Sequence, residues 1–247
     1  MISFVGLCVQ NLIQTLKYIF SGRAKFSDVL ANAAMISYDS LSISLTIVFI
    51  AAAVISLQIS KQFLMSGAES YVGGFIAVAL VREIAPGFAA LAIGARAGTA
   101  ICAEVANMKV TDQVDAMKTL GVNPVGYYFA PRLIASAITV PMVVILAEFI
   151  GIVGGMMVAY FAIQLHPNRF MNTVWLLLNA RDIYISIFKA FIFGVLITLV
   201  CATQGYKTTG GAKDVGISTT QSAIQATAYL LVADFIINLL FYVNIGL

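Results

Sequence analysis

The chain has 247 residues, 61% of them hydrophobic and only 10% charged, with a formal net charge of +3 and a mean hydropathy of +0.97. Soluble domains carry roughly 45–50% apolar and about 25% charged residues, so this composition excludes a soluble globular protein and requires an integral membrane protein. A net charge this small, with its lysines spread among loops, gives no support for a nucleic-acid partner.

The first segment, MISFVGLCVQNLIQTLKYIF, is amphipathic. Gln10, Gln14 and Lys17 share one helical face, while Val5, Val9, Leu12, Ile13 and Leu16 cover the other. That pattern predicts a helix lying in the membrane interface, with a sixth membrane span as the competing reading. The segment is too lightly charged at its start, and too long in its apolar part, for a cleaved signal.

A helix needs about 20 apolar residues to cross a ~30 Å hydrocarbon core. Five segments meet this requirement. Ser40–Ser60 contains no charged residue. Tyr71–Ala103 is interrupted by Arg82, Glu83 and Arg96, and Leu133–Leu165 carries only Glu148 and Pro141 as disturbances. Phe188–Tyr206 and Ser222–Gly246 follow, the last broken by Asp234. Small residues recur at every fourth position, at Ala90, Gly94, Gly98 and Cys102 and again at Gly151 and Gly155, which predicts close helix packing.

Between the second and third spans lies a polar stretch. Thr111 is the expected N-cap of a short helix, with Asp112 and Asp115 in its first turn, Lys118 near its end and Gly121 positioned to stop it. Acids at the start and a base at the end complement the helix dipole. Val114, Met117 and Leu120 form an apolar stripe too small for a core of its own, so the helix is either a connector resting on lipid headgroups or a docking helix for a soluble partner. With the N-terminus inside, Lys17, Arg23, Lys25, Lys109, Lys118, Arg132, Lys207 and Lys213 fall on the cytoplasmic side. Lys61, Arg169, Arg181 and Lys189 fall outside. This excess of inner cations places the short helix in the cytoplasm.

Chemistry-bearing motifs are missing. Cys8, Cys102 and Cys201 stand singly in apolar surroundings, and His166 stands beside Pro167 with no ligand cluster, so neither a metal nor a cofactor is expected. No Gly-x-x-x-x-Gly-Lys-Ser/Thr phosphate loop occurs, GGAKD having neither the spacing nor the hydroxyl. Gly-x-Ser-x-Gly, His-Glu-x-x-His and paired intramembrane aspartates are absent too. The chain is not expected to be an enzyme, and any ATP hydrolysis must come from another subunit.

The run VREIAPGFAALAIGARAGTAICAEVANMKVTDQVDAMKTLGVNPVGYYFAPR, residues 81–132, resembles the core signature of the MlaE/YrbE permease family. Those proteins are membrane subunits of ABC transporters that move phospholipid between membranes. The shared pattern is Arg-Glu-x-x-Pro, Gly-Arg-x-Gly, Ala-Glu, Met-Lys, an acidic-Gln-hydrophobic-Asp-Ala helix, then Asn-Pro and Pro-Arg. GYKTTGGAKDVGISTTQSAIQA with Asp234 resembles the family's last cytoplasmic loop and final span. Asp112 stands where many members have glutamate, and Asp214 and Ile217 also depart from the pattern.

The resemblance implies an all-α integral membrane protein with an N-terminal interfacial helix and five transmembrane helices. Residues 1–30 would form the interfacial helix and linker, and residues 31–247 the permease domain. It implies that Thr111, Asp112, Gln113, Val114, Asp115, Met117 and Leu120 couple to a cytosolic ABC ATPase. It also implies that Ile55, Gln58, Gln62, Phe63, Arg82, Glu83 and Lys189 line a phospholipid cavity at a homodimer interface. An MCE-domain protein on the outer side and a STAS-domain subunit are implied as further partners, in a bacterial inner membrane with the N-terminus cytoplasmic. From the residues alone, two other readings stand. The intramembrane charges can be structural ion pairs such as Glu83 with Arg96, or Glu83, Glu148 and Asp234 can serve an ion-coupled carrier. For Lys189, snorkelling to headgroups is the plain alternative.

Overall fold

A computed structural model describes residues 2–22 and 24–243, all of its regular structure helical. Helix α1 is Ile2–Phe20, α2 is Phe26–Met65 and α3 is Glu69–Val110. The short α4 is Gln113–Thr119, and α5 is Pro124–Ile163. Helices α6, Pro167–Leu177, and α7, Ala180–Lys207, lead to α8, Ala212–Asn238, which runs on as a π turn over Leu239–Val243. Among the described residues five helices (α2, α3, α5, α7 and α8) are long and apolar enough to cross a membrane. Each begins before the apolar core expected from the sequence, because polar first and last turns extend a helix without lengthening its hydrophobic run. The expected end of the last span, at Gly246, lies outside the described residues.

The chain divides into two compact units that do not follow chain order. One comprises Met1–Ser40, Ile93–Val140 and Phe191–Ile236; the other comprises Leu41–Ala92, Pro141–Ala190 and Ile237–Leu247.

In the first unit, α1 turns Phe4, Cys8, Asn11 and Thr15 inward. Asn11 Nδ2 donates to Thr203 Oγ1 of α7 at 3.1 Å. Val5, Val9, Ile13 and Leu16 stay exposed, so the apolar face read from the sequence is not consumed by packing within this chain. The small residues act where helix backbones meet. A Cβ on Gly205 would lie 2.5 Å from the Cys102 carbonyl oxygen, and one on Gly194 would lie 2.6 Å from that of Ser136. The expected spacing at Gly94 and Gly98 faces Ile197 and Cys201.

In the second unit, α6 packs on the first turns of α3. Its N-cap is His166, whose Nδ1 accepts from the Asn168 N–H at 3.4 Å, and Pro167 takes the first helical position, where a missing N–H costs nothing. Phe170 and Val174 join Val72, Ile76, Ala77, Ala159 and Leu165 in one buried cluster. Close packing of these side chains, rather than withdrawal from water, holds α6 to α3. The approach depends on Gly73 and Gly74: a Cβ on Gly74 would meet the Thr173 carbonyl oxygen at 2.6 Å. Gly155 lies against Ile76, and Ser56 Oγ donates to its carbonyl at 2.7 Å.

Candidate functional site

The interruptions of α3 by charge coincide with its backbone irregularities. Leu80–Ile84, which holds Arg82 and Glu83, and Gly94–Gly98, which holds Arg96, are both π turns. The first has a cause in the sequence. In a regular α-helix the Arg82 carbonyl would receive the N–H of the residue four positions on, which is Pro86, and proline has none. The Ala85 N–H instead reaches back to the Leu80 carbonyl, and the Arg82 carbonyl is served from another helix.

That donor is Lys189 of α7. Its side chain is 0% exposed, and Nζ donates to Arg82 O at 2.8 Å and to Glu83 Oε1 at 3.0 Å. Asn238 Nδ2 of α8 donates to Glu83 Oε2 at 3.0 Å. Arg82 Nε donates to Asp182 Oδ1 at 2.8 Å, and the Asn179 N–H caps Asp182 Oδ2 at 3.3 Å. Four formal charges therefore cancel within one cluster built by α3, α7 and α8. Burying an ammonium costs several kcal/mol unless good partners compensate it, and here a carbonyl dipole and a carboxylate do so. The Glu83 side chain remains 46% exposed, which makes it the open face of the cluster.

The structure thus brings Arg82, Glu83 and Lys189 together. Lys189 neither snorkels to a surface nor points an ammonium into an open cavity; it is enclosed. Ile55, Gln58, Gln62 and Phe63 form a separate face of α2, with Gln58 and Gln62 exposed and Phe63 tilted against Phe75 at 5.0 Å between ring centres. Asp182 and Asn238 complete the cluster and were not read from the sequence. Asp182 precedes the apolar core of its span, and its partner lies 100 positions away, beyond any local pattern. Glu148 is buried and accepts a short hydrogen bond from Ser186 Oγ. Beyond Arg181, the residues Tyr184, Ile185, Phe188 and Phe241 line an apolar groove of about 660 Å3, also unmarked in the sequence.

The second candidate region is α4, in the first unit. Thr111 was expected to cap it, but Asp112 occupies the N-cap, in the left-handed region at φ 60°, and makes no side-chain capping bond. Thr111 Oγ1 instead donates to the Asn107 carbonyl at 2.9 Å, closing the end of α3. A hydroxyl that satisfies the preceding helix is not available to the next one. Gly121 stops α4 as expected, at φ +72°, with its N–H on Lys118 O and the Val122 N–H on Met117 O, both at 3.0 Å. Gln113 is exposed, Val114 is fully buried, Met117 is half-buried, and Leu120 is 79% exposed. Asp115 receives Lys118 Nζ at 2.8 Å and Lys109 Nζ at 3.0 Å. The Lys118 hydrogen bond, then that of Lys109, holds the Asp115 carboxyl below its ordinary range, and Asp115 in turn raises Lys118. Behind α4, buried Arg132 of α5 donates Nη2 to Glu104 Oε2 of α3 at 2.6 Å and Nη1 to Tyr128 O at 2.9 Å.

Five membrane-length helices, a neutralised charge cluster and a short polar helix between two of the spans describe a multi-pass membrane protein. The chain belongs to the MlaE permease family, whose model, Permease MlaE, matches residues 29–240. A Synechocystis sp. protein named "Probable ABC transporter permease protein" is 31% identical over 233 residues, 94% of this chain and 89% of that one. A Rickettsia felis protein of the same description is 32% identical over 214 residues, 87% of this chain and 83% of its own. "Protein TRIGALACTOSYLDIACYLGLYCEROL 1, chloroplastic" of Arabidopsis thaliana is 27% identical over 233 residues, 94% of this chain and 67% of that one. The chain is accordingly a membrane permease subunit of an ABC transporter, a class that implies an ATPase partner.

Proposed function

We propose that this subunit moves phospholipids between an inner and an outer membrane, driven by a cytosolic ATPase seated on α4. The observation that carries the reading is the half-exposed Glu83 carboxylate, fixed by buried Lys189 and by Asn238 on otherwise apolar helices. Such a group presents a fixed polar point to a ligand whose remainder is apolar. Support comes from the family membership, and from the Arabidopsis relative, which carries a glycerolipid in its name.

In this reading Ile55, Gln58, Gln62 and Phe63 of α2 supply the wall for the acyl chains, and Arg82, Glu83 and Lys189 form the polar end. Because Lys189 is enclosed, it positions Glu83 rather than gripping phosphate itself. Two copies of the chain enclose the lipid, two ATPases hold the α4 helices, and an MCE-domain protein on the outer side exchanges lipid with the cavity. A STAS-domain subunit completes the cytosolic side. The N-terminus is cytoplasmic, residues 1–30 form an interfacial element and its linker, and residues 31–247 form the permease proper. ATP binding and hydrolysis, transmitted through α4, would open and close the cavity around Glu83.

The test is reconstitution of the complex in vesicles, following a fluorescent phospholipid with and without ATP. Glu83→Lys should abolish ATP-dependent movement while the ATPase still co-purifies. Wild-type movement by that variant would remove the cavity assignment. Lipid-independent activity of the permease alone in a proton or sodium gradient would move the function to an ion-coupled carrier.

A further inference from the structure

Outside the Glu83 cluster, the first unit holds a pocket of about 320 Å3 lined by Ser3, Phe4, Lys207, Gln225, Tyr229 and Val232, with Ala228 at its wall. It lies where α1, the last turn of α7 and the middle of α8 come together. Phe4 and Tyr229 stack with ring centres 6.3 Å apart and form its apolar side. The polar side is unusual in its combination. Lys207, exposed at the end of α7, brings a cation to the lining. Gln225 belongs to the same lining, and its Oε1 is buried and accepts no hydrogen bond.

A buried carbonyl oxygen without a donor is a costly arrangement that native structures rarely keep. A cation and an acceptor in want of a donor, in one pocket, together describe a ligand with an anionic oxygen and an N–H or O–H. Apolar rings beside them fit an attached hydrocarbon chain. A phospholipid whose headgroup carries a hydrogen-bond donor has all three parts, with the phosphate between the chains and the donor. A choline headgroup has the phosphate but no N–H or O–H to give.

We propose that this pocket binds the headgroup of a phospholipid bearing a donor, ethanolamine or glycerol, with its phosphate on Lys207 and its donor on Gln225. The bound lipid fastens α1 to α7 and α8. It is a resident lipid rather than cargo, and the site is independent of the Glu83 cavity and of what that cavity carries.

The test is thermal unfolding of the purified full chain in detergent, titrated with phosphatidylethanolamine, phosphatidylglycerol, phosphatidylcholine or inorganic phosphate. The first two should raise the unfolding temperature, and at equal concentration phosphatidylcholine should raise it by less than half as much. Lys207→Gln should weaken half-maximal stabilisation by about tenfold for both donor lipids. Gln225→Leu should remove the preference over phosphatidylcholine while keeping the fold, since it replaces an acceptor that has no partner. Equal stabilisation by all three lipids in the wild type, or an unchanged response in both variants, would overturn the proposal. A response to inorganic phosphate that matches the donor lipids would replace it with a free-anion site.

Discussion

Lys189 Nζ lies 2.8 Å from the carbonyl oxygen of Arg82, the carbonyl that Pro86 is unable to serve. Two residues 103 positions apart in the chain (189 less 86) are thereby complementary: one withdraws a donor from the α3 ladder and the other replaces it. The replacement donor is charged and buried, and it fixes Glu83 as it does so.

Lys189→Met should therefore destabilise the protein by about 1–3 kcal/mol, the usual cost of a buried polar group left without its partner. Glu83 keeps its bond from Asn238, so the Arg82 carbonyl carries the larger share. Adding Pro86→Ala returns an N–H to the Arg82 carbonyl, and the double variant should unfold at a higher temperature than Lys189→Met alone. Chemical or thermal unfolding in detergent reads both. Simple additivity of the two substitutions would show that the ladder and the lysine are not linked.

Leu120 is 79% exposed, so Leu120→Asp should change stability by no more than about 0.5 kcal/mol. If α4 is the seat of the ATPase, the same substitution should cut ATPase co-purification by at least tenfold. It is a cleaner probe than reversing Asp115, which would also break the Lys109 and Lys118 pairs that orient α4.

The Asp115 carboxyl is held below its ordinary range by Lys118 first and Lys109 second. A depressed folded-state value means that the stabilisation is complete above the ordinary carboxylate range and disappears as pH falls through the lowered value. The pairs should thus be intact from neutral pH down through the ordinary carboxylate range, and should open only below it. A carbon-13 NMR titration of labelled aspartate should show an Asp115 resonance moving later on acidification than solvent-exposed aspartates. Raising the ionic strength should bring it back toward them, because these groups face water.

Gly205→Ala should lower stability by about 1–3 kcal/mol, since the new methyl would stand 2.5 Å from the Cys102 carbonyl oxygen and neither helix backbone yields cheaply. Gly87→Ala is the matched control. Nothing lies within 4 Å of the added carbon, and the substitution should be neutral or slightly stabilising. Thermal unfolding of the two variants side by side measures the contrast.

Hydrophobic length carried most of the fold. Five uninterrupted or nearly uninterrupted apolar runs leave few alternatives to five membrane-length helices, and Gly121 announced the end of α4. Arg82, Glu83 and Arg96 were visible as disturbances of α3, but their resolution was not. The Arg-Glu-x-x-Pro spacing shows which carbonyl lacks a donor, while nothing local names Lys189 as the replacement. Asp182 and Asn238 are ordinary polar residues near helix ends, and only the packing of α3 with α7 and α8 gives them partners. Thr111 misled because a hydroxyl at a junction can serve either helix, and here it bonds backward to Asn107.

The π turn at Gly94–Gly98 has an ancestral side. A π turn holds one residue more than the α-helical turn it replaces, so it reads as a single-residue insertion that the helix never expelled. Deleting Ala95 should therefore close the bulge into a plain α turn and leave the later side chains of α3 near their present phase, so that Glu104 keeps Arg132 and Lys109 keeps Asp115. Deleting a residue of the regular helix that follows, such as Ala100, would instead swing every later side chain by about 100°. The turn thus works as slack in the helix, able to take up or give back one residue. Single-residue length differences among relatives should gather at this point.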